Sequence, residues 1–197
     1  MSMIKTSMKY EIRGMSGFTL IEALVAVAII AISVGGPLYA ASRALVAAQN
    51  SRNQLTALYL AQEGIEYVRL VRDNEYLKSY QRGGSDISTN AWNAFDTVIN
   101  PCTASAGCTL EPALNPGVGS GLALTKCTTV CTPLYLDNGS HRYSQYGGSN
   151  KTLQPYTRTI RVEDVSADDK RVISEVIWKS RGRDFSVLIT DHLTSWQ

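Results

Sequence analysis

The stretch Gly17-Phe18-Thr19-Leu20-Ile21-Glu22 opens a long apolar run near the start of the chain. From Phe18 to Ser42, the only charged side chain is that of Glu22. This run is longer than the ~20 apolar residues that a helix needs to cross a bilayer. A lone carboxylate in such a helix costs roughly 2–3 kcal/mol at the bilayer centre. The sequence therefore predicts a membrane-spanning helix whose one buried charge requires a partner.

A basic leader precedes the apolar run, because residues 1–17 contain Lys5, Lys9 and Arg13. By the positive-inside rule, these charges hold the N-terminus in the cytoplasm, and the chain from about Arg43 onward is exported. An ordinary secretory signal peptide has the same order of regions, but its cleavage site would follow the run, near residues 39–41. The length of the run and its early carboxylate argue against that alternative. An uncleaved single-pass anchor is the other alternative.

The leader and residues Gly17 to Glu22 resemble the N-terminal signature of type IV prepilins and type II secretion pseudopilins. The resemblance implies that a prepilin peptidase cleaves between Gly17 and Phe18, and that the new amine of Phe18 is methylated. It also implies that Glu22 forms a salt bridge with the amine of a neighbouring subunit during assembly. The partners it implies are the prepilin peptidase, other pilin subunits bound through the N-terminal helix, an inner-membrane assembly platform and the membrane.

An amphipathic helix is predicted to continue the apolar run, from Arg43 to about Ser79. One apolar stripe has steps of three and four and comprises Leu58, Ala61, Ile65 and Val68. A second, weaker stripe comprises Leu60, Tyr67 and Val71. The second stripe either contacts neighbouring subunits or belongs to one broad buried face. The whole helix would measure on the order of 90 Å at 1.5 Å per residue, which is too long for the head to cover.

Two glycine-containing stretches divide the chain further. Gly35-Gly36-Pro37 predicts a kink or a partly unwound turn, since proline removes a backbone donor. Gly83-Gly84-Ser85 predicts the end of the helix. The expected organisation is a cleaved leader at 1–17, a transmembrane half of the helix at 18–42, an amphipathic half at 43–80, and a globular head at 81–197.

The last third of the head has the pattern of β-strands. Short polar links join three β-rich segments, Tyr156–Val165, Arg171–Lys179 and Phe185–Leu193, and predict an antiparallel meander. The middle segment has apolar residues on both faces, which fits a central strand covered by the helix on one side. The predicted fold class is therefore α+β: a long N-terminal helix packed on a small antiparallel sheet.

The first part of the head is harder to interpret. Residues 92–99 are compatible with either a helix or a strand, and the glycine run at 117–121 lacks the context of a nucleotide-binding loop. Asn138-Gly139 predicts the tight turn of a hairpin between residues 134–136 and Tyr143.

Four cysteines lie on the predicted exported side, namely Cys102, Cys108, Cys127 and Cys131. An even number in an oxidising compartment predicts two disulfides, with three possible connectivities. Proximity in sequence mildly favours Cys102–Cys108 with Cys127–Cys131. Zinc is the competing interpretation, but there is no Cys-x-x-Cys pair and few histidines are available as ligands.

Other chemistry is sparsely represented. His141 and His192 lie in no recognisable catalytic pattern, and Asp168-Asp169 lacks the ligand spacing of a calcium loop. We therefore predict no catalytic residues, no metal and no cofactor. Lys179, Arg181 and Arg183 cluster near one turn, but the mature chain has equal numbers of acidic and basic residues. The sequence thus does not predict a nucleic-acid partner.

These observations predict a minor type IV pilin that performs no chemistry of its own. It would be a single-pass protein of the cytoplasmic membrane with an exported head, later assembled into a pilus or pseudopilus at the cell surface. A minor pseudopilin of type II secretion is the alternative with the same signature. Two further alternatives use the helix only as an anchor: an adhesin or DNA-binding module, and a membrane-tethered enzyme.

Overall fold

The computed structural model describes residues 17–111 and 124–195. The leader up to residue 16, the predicted loop at 117–121 and Trp196 lie outside these ranges. By its internal contacts, the chain divides into two compact units, Met1–Ala48 and Gln49–Gln197. The two units are described separately.

Helix α1 runs from Leu20 to Arg82. It begins after Thr19, whose carbonyl oxygen accepts a hydrogen bond from the Ala23 amide at 3.2 Å. It ends at Gly83, whose φ of 68° is readily adopted only by glycine, and whose amide donates back to the Ser79 carbonyl. The helix end predicted at Gly83-Gly84 is therefore confirmed. The last helical residue, Arg82, lies three residues beyond the predicted Ser79.

The predicted unwinding at residues 35–37 is wrong. The backbone is α-helical throughout Gly35, Gly36 and Pro37. A proline inside a helix removes one donor, and the bonds of the preceding and following turns are sufficient to keep the helix continuous.

A short second helix, α2, follows at Ile87–Ile99 and leads into a 3₁₀ turn at Asn100–Cys102. The ambiguous segment at 92–99 is thus helical. Its apolar residues follow a helical period and bury one face, which consists of Ala91, Trp92, Phe95 and Ile99.

The sheet has seven strands in the described residues: β1 Cys108–Leu110, β2 Leu124–Lys126, β3 Pro133–Asp137, β4 Tyr143–Ser144, β5 Lys151–Ser166, β6 Asp169–Ser180 and β7 Arg183–Thr194. All pairings are antiparallel. The long strand β5 pairs with β6 and also with β1 and β3, and β6 pairs with β7. The predicted meander of three strands is confirmed as β5, β6 and β7.

The hairpin predicted around Asn138-Gly139 exists, but its turn is not tight. Strands β3 and β4 pair through Tyr135–Ser144 and Leu136–Tyr143, which leaves a loop of residues 138–142. The carboxylate of Asp137 organises this loop by accepting the Gly139 and Ser140 amides, each at 2.9 Å. A side chain that caps two amides makes the longer loop favourable.

The core of the second unit lies between the sheet and one face of α1. Both predicted stripes contribute to that face, since Leu60, Tyr67 and Val71 are as buried as Ala61 and Val68. The second stripe therefore packs within the head, so the structure supports the alternative of one broad buried face over contact with neighbouring subunits. The apolar side chains that α1 leaves exposed in this unit are Leu55, Tyr59, Leu70, Leu77 and Tyr80.

Two disulfides close short loops at the edge of this core. Cys102 is bonded to Cys108, and Cys127 is bonded to Cys131. All four residues are buried, and none of the cysteines is free. The connectivity favoured by sequence proximity is the one observed.

Candidate assembly site

The N-terminal motif enters α1 through a helix cap at Thr19. Gly17, Phe18 and Thr19 precede the helix, and the hydroxyl of Thr19 accepts a hydrogen bond from the Glu22 amide at 3.4 Å. This is the N-cap interaction that satisfies an otherwise free backbone donor. The bond between Gly17 and Phe18 therefore lies in a non-helical segment next to a defined helix start. The pattern Thr-x-x-Glu of a capping box was present in the sequence as a signal for Thr19.

Glu22 lies in the first turn of α1. There its carboxylate is near the positive end of the helix dipole, which stabilises an anion by typically 0.3–1 kcal/mol. In the described part of the chain, no basic side chain forms an ion pair with Glu22. The helix terminus thus supplies part of the stabilisation that a carboxylate in this apolar helix needs.

The first unit exposes an almost entirely apolar helix surface. Among the described residues, α1 is the one helix long and apolar enough to cross a membrane by length and composition. Phe18 and Leu20 are each 80% exposed in the isolated chain. Arg43 donates through Nε to the Tyr39 hydroxyl at 3.0 Å, and its guanidinium lies 5.2 Å from the centre of the Tyr39 ring. Tyrosine and arginine are typical residues of a membrane–water interface.

A buried arginine joins α1 to the sheet in the second unit. Arg158 of β5 is fully buried, and it donates through Nη1 to the Glu63 carboxylate at 2.5 Å and to the Leu60 carbonyl at 3.1 Å. Its Nη2 donates to the Leu110 carbonyl at 3.3 Å. Burial lowers the pKa of Arg158, and the Glu63 carboxylate opposes that shift. Sequence analysis missed this residue, although the strand period places it between the inward residues Tyr156 and Ile160.

A buried lysine has a similar role beside α2. Lys170 Nζ lies 2.7 Å from Asp96 of α2 and 2.5 Å from Asp164 of β5. Burial works against its charge, but the two carboxylates outweigh burial and raise the pKa of Lys170. These contacts hold α2 against the end of the sheet. The buried charges of Arg158 and Lys170 are thus both accounted for by carboxylates of the head itself.

The weaker sequence candidates for chemistry are dispersed. His192 Nδ1 lies 2.9 Å from Asp169, and the adjacent Asp191 pairs instead with Arg69 at 2.6 Å. Asp168 accepts the Ser195 hydroxyl at 3.0 Å, and His141 is an exposed loop residue. Within 17–111 and 124–195, no group of three histidine, cysteine or acidic residues is arranged to hold a metal ion.

An N-terminal helix followed by a small antiparallel sheet is an α+β, type IV pilin-like architecture. The family model described as the prokaryotic N-terminal methylation motif matches residues 12–36. The chain thus carries a type IV prepilin-like signal and fits the pilin and pseudopilin family. No curated protein and no solved structure matches the chain. The head is therefore interpreted from its own residues.

Proposed function

We propose that this protein is a minor type IV pilin, a structural subunit that is processed, methylated and then assembled through its N-terminal helix. The prepilin peptidase would cleave between Gly17 and Phe18 and methylate the Phe18 amine. The head would remain on the exported side of the cytoplasmic membrane until assembly, and the mature subunit would then enter a fibre. A purely structural role is part of this proposal.

The observation that carries the proposal is the unpaired Glu22 in the motif-matched helix. A carboxylate in lipid is stabilised by a cation at short distance, and cleavage before Phe18 creates an amine on each subunit. Phe18 lies just before α1, and Glu22 lies in its first turn. An amine from a second subunit is then the cation that neutralises Glu22, so that pairing favours assembly over the isolated subunit.

Exposed apolar residues on the rest of α1 support an assembled state. In the head unit, Leu55, Tyr59, Leu70, Leu77 and Tyr80 are between 46% and 74% exposed. An apolar set along one helix is a typical surface for helix packing. It lies away from the face that packs on the sheet. The minor rather than major role rests on the resemblance of the meander and irregular middle of the head to minor subunits.

The first experiment tests processing. The full chain is expressed with its cognate prepilin peptidase, and the N-terminus is followed by gel mobility. Gly17→Val should keep the leader attached, because the residue before the cut is altered. Normal maturation of Gly17→Val would refute the assignment.

The second experiment separates pairing from helix capping. Glu22→Gln keeps a side chain that can take part in a capping box but removes the charge, and Glu22→Val removes both. Both variants should be cleaved normally and enter fibres poorly. Thr19→Ala, which removes the cap but keeps the carboxylate, is the control and should assemble better than either. Wild-type incorporation of Glu22→Gln would exclude the salt bridge.

A minor pseudopilin of type II secretion is the second candidate, because the same motif serves both machines. Deletion of the gene followed by assays of piliation and of protein secretion separates the two. Loss of piliation with intact secretion supports the pilin assignment. The reverse result would replace it with the pseudopilin.

A further inference from the structure

The turn between β6 and β7 has an unusual residue for its conformation. Ser180 pairs with Arg183, so Arg181 and Gly182 form a two-residue turn. Both have positive φ values, 50° and 78°. Such turns favour asparagine, aspartate or glycine at the first position, and an arginine there is locally unfavourable. A residue in a backbone conformation that it disfavours is a reason to look for a role outside the fold.

The same turn carries an excess of positive charge. Lys179, Arg181 and Arg183 are all exposed, and the only carboxylate of the turn, Asp184, lies 3.7 Å from Lys179. We call residues 179–184 the basic tip. Two of its three cations thus have no ion-pair partner among the described residues.

The basic tip lies where the chain enters the second unit. The Ser180 hydroxyl is 3.5 Å from the Asn50 side chain of α1, and Asn50 is the second residue of that unit. Arg52 lines a groove with Tyr156, which pairs with Trp178 near the tip. The sequence has no acidic residue from Ala23 to Gln62.

This end of the head is close in sequence to the membrane. Tyr39 and Arg43 mark the expected interface, and only six residues lie between Arg43 and Asn50. Even a fully extended chain reaches no more than about 25 Å over the seven steps from Arg43 to Asn50, so the start of the head is tethered near the bilayer surface.

We propose that the basic tip binds the anionic headgroups of the bilayer in which the subunit is anchored, and so holds the head against the membrane before assembly. This inference rests on the membrane anchoring in the proposed function. Each lysine or arginine near an anionic surface contributes about a fivefold change in partition. For a chain already anchored in that bilayer, so weak an attraction is sufficient because the effective concentration of lipid is high. A free nucleic acid offers no such tether, and a few contacts to it weaken steeply with salt.

The test uses the full chain in nanodiscs that contain either phosphatidylcholine alone or roughly one-third phosphatidylglycerol. A small fraction of lipid carries a gadolinium chelate on its headgroup, and the relaxation enhancement of the Gly182 amide is measured by NMR. We expect an enhancement at least about fivefold larger in the anionic discs. It should fall with added salt, and the amide of Asp168 at the far end of β6 should show no such difference.

The test variant is Arg181→Asn/Arg183→Thr, which removes two charges while asparagine suits the turn and threonine suits a strand. It should lose the difference between the two discs. The control variant, Lys126→Gln/Arg171→Gln, removes two charges outside the basic tip, one from β2 and one from the opposite end of β6, and should keep it. Loss of the difference in both variants would show a nonspecific effect of net charge and overturn the proposal.

The remaining outcomes separate this inference from the proposed function. An anchored chain with equal enhancement in both discs would overturn the tip contact alone. A chain that elutes apart from the discs would refute the membrane anchoring itself. Duplex DNA that shifts the Gly182 signal in the neutral discs at physiological salt would overturn the lipid assignment in favour of nucleic acid.

Discussion

At the scale of single residues, the contact that most constrains the head is the one between Arg158 and Glu63. Arg158 is fully buried, and its guanidinium bonds to Glu63 and to the backbone of both α1 and β1. Its Nε has no hydrogen-bond partner among the described residues. A buried charge of this kind stabilises one arrangement of helix and sheet, since any other arrangement would leave the guanidinium unpaired.

Glu63→Gln should therefore destabilise the head. Breaking a fully buried pair costs roughly 3–5 kcal/mol, but the side chain of Glu63 is 41% exposed. We expect a loss of about 1–3 kcal/mol in the free energy of unfolding, measured by urea denaturation in detergent. Glu66→Gln is the matched control, because its pair with Arg69 is exposed, and it should change stability by less than about 0.5 kcal/mol. Equal losses of stability in the two variants would show that the Arg158–Glu63 pair stabilises the head no more than an exposed ion pair does.

Tyr67 provides a test by pH. Burial, and then the Glu111 charge, raise the pKa of Tyr67 from 10.0 to about 12. Because the folded-state pKa lies above the unfolded value, this contribution to stability is complete below pH 10 and is lost as the pH rises toward 12. Between pH 10 and 12, the wild type should lose on the order of 2 kcal/mol more than Tyr67→Phe. If the free energies of unfolding of the two proteins changed in parallel with pH, the raised pKa of Tyr67 would be contradicted.

At the scale of elements, the closest approach between α1 and the sheet is at Gly64. A Cβ at this position would lie 2.5 Å from Ser174 Oγ and 2.6 Å from Ile160 Cδ1. Glycine costs a helix about 1 kcal/mol relative to alanine, so its presence here is explained by the sheet and not by the helix. The Ser174 hydroxyl beneath it is buried, and within 17–111 and 124–195 it has no hydrogen-bond partner.

Gly64→Ala should thus destabilise the head by about 1–2 kcal/mol, the cost of overpacking less the gain in helix propensity. Ser174→Ala alone should be neutral or stabilising, because it removes a buried hydroxyl that has no partner. The double variant should recover part of the loss, as measured by urea midpoints in a double-mutant cycle. A Gly64→Ala protein as stable as the wild type would show that α1 lies further from the sheet.

The elements also show how far sequence reasoning extends. The long helix and the strands β5 to β7 were predictable, because each repeats its period over many residues, as in the alternation of Val172, Val176 and Trp178. Strands β1 and β2 have three residues each, too few to show a period. The partly unwound turn expected at Gly35-Gly36-Pro37 is absent because the regular helix on both sides overrides the local preferences of these three residues. Asn138-Gly139 was misjudged because the cap at Asp137 was overlooked.

The candidate site was predictable for a different reason. Gly17, Phe18 and Glu22 belong to a linear motif, so their order in the chain is sufficient to identify them. Arg158, Gly64 and the basic tip depend on contacts between segments far apart in sequence, such as Ser180 with Asn50. Periodicity places such residues on a face, but it does not identify the segment that meets them.

At the scale of the whole molecule, the two units differ in how much of their apolar surface the chain itself buries. The second unit buries its own core, with two disulfides and three buried cations, Arg72, Arg158 and Lys170, paired to carboxylates. The first unit leaves apolar residues such as Phe18, Leu20 and Ile32 exposed. A surface of this kind is stabilised by lipid or by other apolar helices, which supports the assembling role proposed above.

The most direct test of that role is mass spectrometry of the N-terminal peptide of this protein recovered from sheared, purified fibres. We predict a peptide that begins at N-methylated Phe18 and contains Glu22. A peptide that retains residues 1–17 would contradict processing by the prepilin peptidase. A chain that begins after residues 39–41 would contradict the assembled helix altogether and identify an ordinary secreted protein.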